Sequence, residues 1–113
     1  MSAITTHILD TSKGRPASNV AVTLEQRTPD GYRELGRGET DADGRLRTLL
    51  AAGAPLAGGV YRLTFDTGGY FAREGVETFY PEVSVTFVVR EPAQHYHVPL
   101  LLNPYGYSTY RGS

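Results

Sequence analysis

Glycine and proline punctuate this chain from end to end, and that constrains its fold more than any other feature. The 13 Gly and 7 Pro make up 20 of 113 residues, about 18%, against an average near 12%. In a helix interior each Gly costs about 1 kcal/mol and each Pro about 3 kcal/mol. A helical bundle is therefore excluded, and the breakers read as turns between short strands.

Between the breakers the hydrophobic period is two. Val20, Val22 and Leu24 share one face, with Thr23 and Glu25 on the other, as in a half-buried strand. Turn chemistry follows at Thr28-Pro29-Asp30-Gly31 and again at Asp41-Ala42-Asp43-Gly44. Further strands are expected at about 4–9, 32–39, 45–48, 60–65, 82–89, 95–103 and 106–110, eight in all. A single short helix is expected at 67–75, weakened by Gly68 and Gly69. So slight a helix cannot cover a sheet, so two sheets must cover each other. The expected class is all-β, an antiparallel β-sandwich in one domain over 1–113.

Composition narrows the function. The 11 Lys+Arg against 12 Asp+Glu leave a formal charge of −1, which argues against nucleic-acid binding by phosphate neutralisation. No cysteine is present, so disulfides, thiol catalysis and Cys-ligated metals are excluded. No apolar run approaches the roughly 20 residues that span a bilayer, so no membrane association is expected. The first residues lack a secretory signal and the last are not the peroxisomal Ser-Lys-Leu address. A cytoplasmic location is expected.

The chemistry must therefore come from His, Arg, Tyr, Ser, Thr or carboxylates. His7 falls in the first strand, and His95 and His97, two apart in a late strand, point to one face. Three His admit a zinc site, an ordinary solvated sheet face, or metal-free general acid–base catalysis. Asp41-Ala42-Asp43-Gly44 lacks the further ligands of a calcium loop and reads as a hairpin turn. Arg45 follows it directly, placed either to project from the sheet's end or to serve as a solubilising charge. Tyr96, Tyr105, Tyr107 and Tyr110 put half of the eight tyrosines in the last 18 residues. That suits either a core strand or an interface.

Three separated motifs give these candidates a context. His7-Ile8-Leu9-Asp10 with Gly14-Arg15-Pro16-Ala17 resembles the N-terminal signature of the transthyretin family. Residues 96–109, Tyr96-His97-Val98-Pro99 through Tyr107-Ser108-Thr109, resemble its C-terminal signature. The ending Tyr110-Arg111-Gly112-Ser113 is similar to that of its enzymes, the 5-hydroxyisourate hydrolases. The family's hormone carriers have Lys in place of His7 and Thr in place of His97, and they lack that ending. Asn103 departs from the signature, which commonly has Ser or another small residue there.

The resemblance implies a sandwich of two four-stranded sheets with a short helix, assembled as a homotetramer, a dimer of dimers with sites between the dimers. It implies hydrolysis of 5-hydroxyisourate to 2-oxo-4-hydroxy-4-carboxy-5-ureidoimidazoline with no cofactor and no metal. His7, Arg45, His97 and Ser113 would form the catalytic set, with His7, Arg45, Tyr110 and Arg111 binding substrate. At Ser113 a binding role is favoured over a nucleophilic one, because a terminal serine lacks a strained turn and a fixed oxyanion pocket. The alternative is a non-enzymatic small-ligand carrier.

Overall fold

Two sheets face each other across one apolar core in the computed structural model, which describes residues 2–113. The first sheet is built on β1 (Ile4–Asp10), with β8 (Tyr96–Asn103) along one edge and β9 (Gly106–Thr109) beyond it. The other edge of β1 is shared by two short strands. β2 (Arg15–Pro16) pairs with Leu9 and Asp10, and β5 (Arg45–Leu46) pairs with Thr6 and His7. The second sheet runs β4 (Gly31–Glu39), β3 (Ala21–Thr28), β6 (Gly59–Phe65), β7 (Val83–Val89).

The core follows the period-two pattern. Ile4 and Ile8 of β1 and Val98, Leu100 and Leu102 of β8 meet Val22 and Leu24 of β3 and Tyr61, Leu63 and Phe65 of β6, all buried. Truncating such a side chain, as in Leu63→Ala, costs about 2–5 kcal/mol. The helix α1 (Thr67–Arg73) is capped by Asp66, whose carboxylate accepts the Gly69 N–H at 3.0 Å. It buries Tyr70 and Phe71, and the Tyr70 hydroxyl donates to the buried Asp10 carboxylate at 2.7 Å. Its glycines are there for close packing, since a Cβ on Gly68 would lie 2.7 Å from the Pro81 carbonyl oxygen.

All eight expected strands occur, and two details differ from the expectation. The first sheet has five strands, because β2 was too short to leave a periodic signal. The β1–β8 pair is parallel, with Thr5 beside His97 and His7 beside Pro99. Antiparallel pairing is favoured where a tight hairpin joins two strands, and no hairpin joins elements so far apart in sequence.

Candidate active site

Alternation along the first sheet sorts its chemistry to one side. Ile4, Thr6 and Ile8 of β1 are buried toward the core, as are Val98 and Leu100 of β8. Thr5, His7 and His97 consequently point to the opposite, outward face, and so does Arg45, whose neighbour Leu46 is buried. Register then places Arg45 beside His7 and Thr5 beside His97.

The turn before β5 holds Arg45 in place. The Asp41 carboxylate accepts the backbone N–H groups of Asp43 at 2.9 Å and Arg45 at 3.0 Å. Gly44 takes φ +75°, its carbonyl accepts the Ile8 N–H at 2.8 Å, and a Cβ there would lie 2.4 Å from the Ile8 carbonyl oxygen. Only glycine fits that crossing. Asp41 and Asp43 thus make a turn, as expected.

The C-terminal residues fold back along β8. Gly112 donates its N–H to the His97 carbonyl at 2.8 Å, opposite His97 in the register that β9 already sets. Ser113 is thereby brought to a cleft of about 250 Å³ lined by Thr5, Thr6, Arg45, Arg47, His95, His97 and Ser113. The side chains lining it bring two guanidiniums, two imidazoles and three hydroxyls, and none is Asp or Glu. Such a surface suits a small, polar, anionic ring.

The histidines differ in their surroundings. His7 donates from Nε2 to the Asp43 carbonyl at 2.9 Å, which leaves Nδ1 as its basic nitrogen. Burial and the Arg45 charge push its pKa below the ordinary value, against the opposing pull of the Asp43 carbonyl and of Asp41 and Asp43. His97 is lowered as well, first by burial and then by Arg45, His7, His95 and Arg47. Both shifts favour the neutral imidazole, the form that accepts a proton. The His95 and His97 rings lie nearly parallel, with centroids 6.5 Å apart, and Thr5 Oγ1 bridges them.

Of the residues singled out from the sequence, Arg45, His97 and Ser113 line this cleft, and His7 sits beside Arg45 at its margin. Tyr110 and Arg111 do not line it. They border a larger cavity of about 670 Å³, shared with Val85, Phe87 and His97, where the Arg111 guanidinium lies 4.5 Å above the Tyr96 ring. Thr5 and Arg47 went unremarked in the sequence. Thr5 was detectable by its spacing of two from His7, and Arg47 by the same spacing from Arg45.

The family described as HIUase/transthyretin matches residues 4–112. The 5-hydroxyisourate hydrolase of Salmonella dublin is 49% identical over 110 residues, covering 97% of this chain and 80% of that protein. The solved 5-hydroxyisourate hydrolase of Klebsiella pneumoniae superposes with a TM-score of 0.85 at 43% identity, covering 97% of this chain and 92% of that one. Sea bream transthyretin, solved in complex with thyroxine, superposes with a TM-score of 0.89 at 36% identity, covering 98% and 95%.

Proposed function

The chain belongs to the HIUase/transthyretin family, and from that premise we propose that it is a hydrolase of 5-hydroxyisourate in urate degradation. The product is 2-oxo-4-hydroxy-4-carboxy-5-ureidoimidazoline. One observation carries the reading: Arg45, His97 and Ser113 converge on one cationic cleft with His7 at its margin. A thyroxine-type carrier needs no pair of neutral imidazoles beside an arginine.

The reaction adds water to a ring carbonyl and breaks the adjacent C–N bond. A neutral imidazole of His97, assisted by His7, takes a proton from the attacking water. Arg45 binds the anionic ring and stabilises the oxygen on which negative charge grows. The Ser113 hydroxyl holds the ring by hydrogen bonding. Tyr110 and Arg111, on the neighbouring cavity, act on substrate only if assembly brings them to a second chain's cleft. A homotetramer, a dimer of dimers, is the proposed assembly.

The test is direct. Urate and urate oxidase generate the substrate, and its ultraviolet absorbance should decay faster with the purified protein than without it. His97→Asn should lower the rate by about 10² to 10⁴. Decay at the spontaneous rate would support the carrier reading, which the likeness to the thyroxine-bound transthyretin favours.

A further inference from the structure

Thr5 is 4% exposed, and its hydroxyl has an unusual pair of partners. It lies 2.8 Å from His97 Nδ1 and 3.1 Å from His95 Nε2. Several other threonine hydroxyls in this chain bond backbone carbonyls. Thr6 donates to Val98 at 2.6 Å, Thr40 to Ala17 at 2.8 Å, Thr67 to Tyr80 at 2.8 Å and Thr109 to Pro99 at 2.7 Å. Those bonds tie strands and loops together. The Thr5 hydroxyl ties two imidazoles, both lining the cleft, of which His95 is the one exposed to solvent.

A hydroxyl has one proton to give. At least one ring must therefore donate to Thr5, and where the other accepts from it the direction of that chain sets the tautomer of both rings. We propose that Thr5 and His95 are positioning residues of the active site: His97 donates from Nδ1 to Thr5, and Thr5 donates to His95 Nε2. That leaves His97 Nε2, on the ring edge away from Thr5, as a bare base. Among the described residues it has no hydrogen-bond partner.

The same chain steadies a proton that the reaction borrows. Cleaving a cyclic amide to a carboxylate consumes one water. One of its protons goes to the leaving nitrogen, and the other goes to solvent. As the water attacks, it gives a proton to His97 Nε2, and the imidazolium so formed keeps its Nδ1 proton, donated to Thr5 Oγ1. Nε2 then hands its proton to the leaving nitrogen, which returns the ring to its starting tautomer, and the proton left on the new carboxyl goes to solvent. The use of this chain rests on the hydrolase reading, but its hydrogen bonds do not.

The experiment therefore has a structural readout and a kinetic one, using Thr5→Val, Thr5→Ser and His95→Ala. In protein carrying ¹⁵N-labelled histidine, at a pH where the rings are neutral, NMR should find His97 protonated at Nδ1 in the wild type and in Thr5→Ser. Thr5→Val should lose that preference. In turnover, Thr5→Val and His95→Ala should lower kcat at least about tenfold, short of the 10² to 10⁴ of a full general base, with KM little changed. Thr5→Ser should restore kcat. A wild-type His97 protonated at Nε2, or an unaltered tautomer in Thr5→Val, overturns the proposal. Unimpaired kcat in Thr5→Val with an active wild type overturns the catalytic use of the chain alone, whereas an inactive wild type overturns the hydrolase reading and that use together.

Discussion

A half-buried imidazole among guanidiniums resists protonation, because the charged form loses water and meets like charge. His7 and His97 are both in that position, each lowered first by burial and next by Arg45. Two consequences follow with opposite readouts and one sign. A base that must be neutral stays so until the pH falls below its lowered pKa, so the acid limb of kcat/KM should lie below pH 6.5, the ordinary histidine value. An acid limb above that value would show that these rings are not the bases. In unfolding, the denatured chain binds protons at a higher pH than the folded one. Stability from this source is complete above pH 6.5 and is lost as the pH drops from there through the lowered pKa. Denaturant midpoints taken across that interval should fall with pH, and a His7→Asn, His97→Asn double variant should flatten the dependence. Thr5 belongs to this scale too, since its role depends on which atoms its hydroxyl touches and not on its place in a motif.

Among the elements, two short segments carry more of the site than the long strands do. The turn ahead of β5 depends on Gly44, whose positive φ and contact with the Ile8 carbonyl exclude any side chain. Gly44→Ala should cost about 1–3 kcal/mol in stability, and it should lower activity further by displacing Arg45. Full activity in a destabilised Gly44→Ala protein would separate Arg45 from the chemistry. The C-terminal residues are the second segment. They keep the β9 register, hold His97 through the Gly112 N–H and close the cleft with Ser113. Deleting 111–113 should leave a folded protein of much lower activity, while a deletion variant as active as the intact chain would remove the tail from the mechanism. Strand identity and turn chemistry were plain in the sequence at both segments. The return of the tail along β8 was not, because its signal is a hydrogen-bond register shared with a strand more than a dozen residues away.

At the level of the whole molecule, the cleft is an open depression on the outward face of a thin sandwich, 39 × 28 × 20 Å in extent. Phe79, Tyr105 and Tyr110 are each more than half exposed, and β7 and β9 end their sheets as unpaired edges. Apolar rings and free strand edges on one small protein favour association. The proposed homotetramer should therefore sediment at about four times the 12.3 kDa of one chain. A monomer with full activity would show that a single outward face suffices for the reaction.

The amino-acid sequence by itself determined the class of the fold, because Gly and Pro spacing and period-two alternation are local properties that each segment expresses alone. It also determined the choice of His at 7 and 97 and the residues on offer at the C-terminus. Only the tertiary structure decided which of them meet. The parallel pairing of β1 with β8 puts Thr5 against His97, the Gly44 turn sets Arg45 beside His7, and the tail's register carries Ser113 to the cleft while Tyr110 and Arg111 face another cavity. Those juxtapositions join residues some 15 to 90 positions apart. Contacts at such separation are chosen by burial and register across the whole core, a long-range balance that no local pattern records.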